Sequence, residues 1–372
     1  MVLNAAIRNT PDSEVSRYFG KVPIDAINFS LGEPIFPPPD SVKKSFAKSI
    51  MEGSGRYSSV QGLPDLRKAI SDKLERENNV MSDPDDILIT NGANEAIAIA
   101  ILSLVDNGDE VIICEPSFPA FKPLVKYCQG VPKPLFLKEE NGFRLDLEEL
   151  KEAVSDKTKM IVINTPHNPT GSVFDKNTLK SISEICNSHI LVDEVYENLV
   201  YGVPHCSIAS VAGNPERIIT VNSFSKTYCM CGYRLGYMHA TDDLIKSFMK
   251  LKLYLSVCTS MPIQVAGIAA LKDKNYPKLI RRELSVRRNI LLGGLRGLKI
   301  PFVEPDGTFF VFPNISEWGN DMEVHEMFLK AGVLAMPGSI FHPDCSKNIR
   351  FSFVADPQDI REGIIRLEGL LA

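Results

Sequence analysis

VNSFSKTYCMCGYRLGY, Val221–Tyr237, begins at the end of the apolar run Ile218-Ile219-Thr220-Val221. The run reads as a buried strand, so Lys226 stands just beyond a strand end. An ammonium enclosed there loses hydration, and its pKa falls. The neutral amine is then a nucleophile suited to a Schiff base with a carbonyl compound. The hydroxyl of Ser223 and the planar guanidinium of Arg234 suit a phosphate. Gly232 and Gly236 allow the backbone to pass close to a ligand. A lone Ser-x-x-Lys is usually a surface turn, but the two glycines and the arginine argue against that here.

Outward from this stretch, short apolar strands alternate with helical patterns. Asp86–Thr90, Glu110–Cys114, Lys159–Asn164 and Ile190–Val192 read as strands, and Arg217–Val221 and Leu235–His239 flank the lysine. Asn94–Val105, Leu147–Val154 and Asn177–Cys186 have helical spacing. Continuous apolar strands separated by helices imply a mostly parallel sheet covered on both faces, with ligands beyond its carboxyl ends. Asp243–Leu255 and Tyr276–Leu292 carry helical signal, and strands at Thr308–Phe312 and Asn348–Phe353 alternate with helices at Val324–Ala331 and Asp359–Leu371. This tail reads as a smaller α+β domain.

The whole chain sets the outer limits. At 372 residues it can bury a large core. Hydrophobic residues at 44% and charged residues at 23% are ordinary for a globular enzyme, and a net charge of −5 argues against non-specific nucleic-acid binding. No apolar run is long enough to span a bilayer, and the N-terminus lacks a secretion signal. The eight cysteines are scattered, consistent with a reduced cytoplasmic protein, and the six histidines form no metal pattern.

Several polar residues fall at strand ends. Asp193 closes Ile190–Val192, where a buried carboxylate needs a cation or hydrogen-bond donors: a protonated ring nitrogen, or the backbone of a following helix. Glu194 beside it reads as solvent-facing or structural. Thr90–Ala96 joins a strand to a helix through small residues, exposing N–H groups that suit a phosphate. Two prolines and a glycine fix the loop Asn164–Gly171. Arg350 lies within the mostly apolar strand Asn348–Phe353 and matches a carboxylate, whether of a ligand or of a structural ion pair.

In this order, the segments resemble class I and II aminotransferases, the fold-type I enzymes that use pyridoxal phosphate (PLP). Val221–Tyr237 matches the family's lysine signature, with Cys229, itself small, where Gly, Ala, Ser or another small residue is usual. Asn164–Gly171 is similar to its Asn-Pro-x-Asn-Pro-Thr-Gly loop, and Asp193 with Tyr196 to its aspartate-before-tyrosine motif. Tyr57, with the later Gly62 and Leu66-Arg67, resembles its Tyr…Gly…Leu-Arg segment. The likeness covers roughly residues 30 to 355.

The resemblance implies a seven-stranded, mostly parallel sheet with helices on both faces. It divides the chain into an N-terminal segment (1–45) packing with the small domain, a large PLP-binding domain (46–275) and a C-terminal small domain (276–372). It implies that Lys226 holds PLP and later moves the substrate Cα proton, that Asp193 pairs with the ring nitrogen, and that Tyr196 and Asn168 meet the ring oxygen. Phe118 would stack on the ring, and Ala93, Asn94, Ser223 and Arg234 would bind the phosphate. Arg350 and Asn168 would hold the substrate carboxylate, with Gly32 and Phe309 lining the substrate side. Tyr57 would reach the phosphate in a second subunit, which implies a homodimer. The implied activity is ping-pong transfer of an amino group between an L-amino acid and a 2-oxo acid. A carbon–sulfur β-lyase, an amino-acid decarboxylase or a non-catalytic PLP-binding regulator of the same fold are the alternatives.

Overall fold

The computed structural model describes Ile7 and residues 25–371 apart from Cys186. The expected packing of the N-terminal segment before residue 25 therefore lies outside the described residues. In chain order the strands are β1 (Ile27–Asn28), β2 (Ile87–Thr90), β3 (Glu110–Glu115), β4 (Val131–Phe136), β5 (Thr158–Asn164) and β6 (His189–Asp193). They continue with β7 (Ile218–Ser223), β8 (Gly236–His239), β9 (Phe310–Val311), β10 (Val333–Leu334), β11 (Met336–Pro337) and β12 (Ile349–Ser352).

Seven strands form one sheet in the order β2-β8-β7-β6-β5-β3-β4. All neighbours run parallel except β8, which is antiparallel to both β2 and β7. The apolar runs explain the layering. Alternate side chains point to opposite faces, so Leu191 joins one core cluster while Ile190 and Val192 join another. Ala93–Leu104 and Asp242–Leu255 cover the first face; Leu147–Ala153 and Lys176–Ile185 cover the second.

β4 was not anticipated from the sequence, because Pro132 and Pro134 speak against a strand. It is an edge strand paired only with β3. Val131 N–H donates to Asp109 O (2.8 Å), so with period two the missing N–H groups of both prolines face away from the sheet.

The C-terminal part forms a three-stranded antiparallel sheet, β11-β12-β9, with Arg350 on the central strand. β1 pairs in parallel with β10 and so attaches the N-terminal segment to this part of the molecule. The long helix Tyr276–Gly297 packs on Pro357–Leu371 so closely that a Cβ on Gly294 would lie 2.2 Å from Ile364 Cδ1. Among the described residues no helix is long and apolar enough to cross a membrane.

Candidate active site

Asn164, Asp193 and Ser223 are the last residues of β5, β6 and β7, and Asn164 is in register with Asp193. A cleft of about 450 Å³ opens at this edge of the sheet. The sequence-predicted residues Gly32, Ala93, Asn94, Phe118, Asn168, Asp193, Tyr196, Ser223, Lys226, Arg234 and Arg350 all line it.

One end is an anion cradle. Gly92 has φ 83° and caps the helix Ala93–Leu104, which leaves the first helical N–H groups at the cleft. A Cβ on Gly92 would lie 2.4 Å from Arg234 Nη2, and one on Gly236 would lie 2.7 Å from the backbone nitrogen of Ala93. Glycine at both positions lets the guanidinium press against the helix start. Arg234 itself has φ 54°, and its Nη1 donates to Cys231 O (2.9 Å). Ser223 Oγ accepts from Ser225 N–H (3.0 Å) and donates to Leu235 O (3.1 Å), so this hydroxyl also caps the lysine-bearing turn Phe224–Thr227.

At the cleft floor, Asp193 is buried, and its carboxylate accepts one hydrogen bond, from Val195 N–H (3.2 Å). No helix follows it; the next residues form a turn. Burial pushes its pKa up to about 7, with Val195 N–H and Lys226 pulling the other way. A carboxylate in this state calls for a cation brought from outside. Asn164 ties the floor together: its Nδ2 donates to Asp193 O (2.9 Å) and its Oδ1 accepts from Asn168 N–H (2.8 Å).

Lys226 Nζ donates to Gly32 O (2.5 Å) and lies 5.7 Å from the centre of the Phe309 ring. Burial lowers its pKa, against the pull of Cys231 and Glu33. Opposite, Arg350 Nη1 donates to Asn168 Oδ1 (2.9 Å) and Nη2 to Ser30 O (3.0 Å). Its guanidinium carbon lies 3.9 Å from the centre of the Phe310 ring and 4.9 Å from that of Phe341, and its Nε has no hydrogen-bond partner among the described residues. Burial lowers its pKa to about 10, which leaves it charged at neutral pH. A buried cation held by neutral acceptors and aromatic faces has capacity left for an incoming carboxylate. Tyr196 packs edge-on against Phe309, with ring centroids 5.5 Å apart, and burial raises its phenol pKa.

Tyr57 does not enter the cleft of its own chain; it is 83% exposed. Phe309 is a correction. It is fully buried against Tyr196, and Phe310, whose ring centre lies 4.5 Å from that of Phe309, lines the cleft instead. Of the two readings of Glu194 the structural one holds: it is buried, and its Oε1 accepts from Ile208 N–H (3.1 Å). Met336, Phe341 and Cys231 line the cleft without having been anticipated, and Cys231 alone lay inside a recognised motif. Cys229 is buried with φ 53° and pairs with the Tyr276 hydroxyl, which also donates to Pro37 O. Behind the cleft, Glu194, Glu197 and His205 place one ligand atom each within 4.8 Å of one another, but the Lys73 ammonium is already bonded to Glu197.

The buried Asp193 and the glycine-lined anion cradle fit a phosphorylated pyridinium between them, with Lys226 in reach of the cleft. The chain matches the family Aminotransferase class I and II over residues 24–367. It is similar to an aspartate aminotransferase of Pyrococcus abyssi (38% identity over 93% of this chain and 92% of the relative). It is also similar to an aromatic-amino-acid aminotransferase 2 of Thermococcus litoralis (36% identity, 93% and 91%). Its fold superimposes on aspartate aminotransferase from Thermus thermophilus with maleate at a TM-score of 0.94, with 28% identity and 100% of both chains covered.

Proposed function

Because the chain belongs to the aminotransferase class I and II family, we propose that it holds pyridoxal phosphate on Lys226 and works through the cleft residues described above. The chain is an aminotransferase, and its substrates are an amino acid and a 2-oxo acid. The observation that carries the cofactor assignment is the pairing of a buried, cation-seeking Asp193 with a lysine amine that no carboxylate holds.

In this reading the cradle of Ala93, Asn94, Ser223 and Arg234 binds the phosphate, and Phe118 packs on the ring. Asp193 keeps a proton on the ring nitrogen, while Tyr196 and Asn168 meet the ring oxygen. The bound group would supply an electron sink for the charge left when the substrate Cα loses its proton. Arg350 and Asn168 fix the substrate carboxylate, and Gly32 bounds the substrate side. Lys226, whose ammonium burial disfavours, takes the substrate Cα proton and would return it to the cofactor carbon.

Tyr57, exposed on the single chain, reaches the phosphate cradle of a second copy, which makes the working form a cytoplasmic homodimer. Residues 46–275 form the large cofactor-binding domain; 276–372, joined by the described residues 25–45 of the N-terminal segment, form the small one. Borohydride reduction of the loaded enzyme should fix the cofactor on the Lys226 peptide, read by mass spectrometry. Lys226→Ala should lower transamination by about 10³-fold or more. Substantial residual turnover in that variant would sink the assignment.

A further inference from the structure

Lys226 is bracketed by two neutral acceptors. One is the Gly32 carbonyl; the other is Cys231, whose Sγ lies 3.9 Å from Lys226 Nζ. Cys231 opens the short turn Cys231–Tyr233 that leads from the lysine segment to β8. Its thiol donates to Ser225 O (3.2 Å), the carbonyl immediately before Lys226. The side chain is therefore anchored to the same stretch of backbone that carries the lysine. With its S–H committed, Cys231 presents sulfur lone pairs to the amine, and these are weak acceptors.

Burial raises the thiol pKa, against the pull of Lys226, so the sulfur carries no charge at neutral pH. The charged groups facing the amine come from three other elements. Glu33 from the segment after β1 and Asp193 from β6 favour the ammonium, and Arg350 from β12 disfavours it. The Phe309 ring centre lies 5.7 Å from the amine.

We propose that Cys231 is a positioning residue for Lys226, steering the freed amine against the cleft wall while offering it a weaker acceptor than oxygen would. This rests on the reading of Lys226 as the residue that moves the Cα proton. A proton carrier must be held in place yet remain unprotonated. A carboxylate at this position would hold the amine as an ammonium, and an alanine would leave it the Gly32 carbonyl alone. In Cys231→Ser the hydroxyl oxygen binds the ammonium more strongly than sulfur does, so the amine keeps its proton to higher pH. In Cys231→Ala that acceptor is gone, and the amine loses its proton at lower pH.

The test begins with the cofactor-free chain. The pH dependence of Lys226 acetylation by acetic anhydride, read by mass spectrometry against a free-lysine standard, reports the titration of this amine. Its midpoint should rise by about 0.5 pH unit or more in Cys231→Ser and fall in Cys231→Ala. In the loaded enzyme, Cys231→Ala should lower kcat by about 3- to 10-fold with KM changed less than about twofold. Cys231→Ser should recover kcat above its shifted acid limb. One common midpoint for all three chains would overturn the role of Cys231, as would a fall in kcat matched by an equal rise in KM. Retained turnover in Lys226→Ala would instead overturn the reading beneath it, and the acetylation result stands apart from that outcome.

Discussion

The segment Asp193-Glu194-Val195-Tyr196-Glu197 carries three buried carboxylates, and the two at its ends have opposite fates. Asp193 is 6% exposed and Glu197 is 8% exposed, so burial alone does not separate them. Burial pushes up both pKa values. At Glu197 the Lys73 ammonium, His205 and Asn78 more than offset it, and the net shift is downward. Asn78 Nδ2 donates to one carboxylate oxygen of Glu197 (2.7 Å), and Lys73 bonds the other. At Asp193 a single backbone N–H answers, and the pKa stays near 7. The lysines mirror this: Lys73 is bound to a carboxylate, whereas Lys226 meets a carbonyl and a thiol. The contrast teaches that a buried charge becomes chemically available when its partner is withheld. It also places the site's energetic cost in the fold.

The sharpest way to break this contrast is to orphan the satisfied carboxylate. Lys73→Met should destabilise the protein by about 3–5 kcal/mol, because Glu197 is left buried without its cation. Urea denaturation measures it, and a loss below about 1 kcal/mol would erase the difference between the two regions.

Asp193→Asn should act in the opposite direction in the cofactor-free chain. A carboxyl whose folded pKa is raised stabilises the fold only while protonated, so its contribution is lost as pH rises from the ordinary 3.8 through about 7. The variant should thus gain little at pH 4 and at most about 4 kcal/mol at pH 8, with transamination lost in the loaded form. Denaturation at the two pH values checks the sign, and an equal gain at both would show that the charge is not the cause.

The smallest effect belongs to a pair outside both regions. Lys68 and Asp72 lie 3.0 Å apart on a helix surface, 69% and 51% exposed. Asp72→Asn should change stability by only about 0.3–0.5 kcal/mol, and the change should shrink further in high salt. A larger effect would mean that exposure, too, fails to predict what an ion pair contributes.

The site was legible where chemistry and periodicity coincide. Asp193 stands out because it ends a buried apolar run, as does Lys226 just beyond β7, and Arg350 because it interrupts one. Three kinds of feature were not legible. Backbone acceptors such as Gly32 O carry no side-chain signature, and here the acceptor lies 194 residues from the lysine it binds. The Lys73–Glu197 pair joins positions 124 residues apart with no local pattern to announce it. Phe309 and Phe310 are adjacent residues of one type whose ring centres lie 4.5 Å apart, so the sequence offers nothing to choose which of them meets the cleft. β4 was hidden because its prolines are tolerated only at an edge, and edge position is a property of the assembled sheet.

The parallel pairing of Ile27–Asn28 with Val333–Leu334 has a consequence for how the protein is made. β1 leaves the ribosome well before its partner strand. The seven-stranded sheet uses residues 87–239 and can assemble well before β10 exists. Gly32, shortly after β1, cannot be docked against Lys226 by that pairing until the C-terminal strands arrive. For that stretch of synthesis the lysine stands in its sheet without one of its two acceptors, and the cleft closes only once β10 has been made.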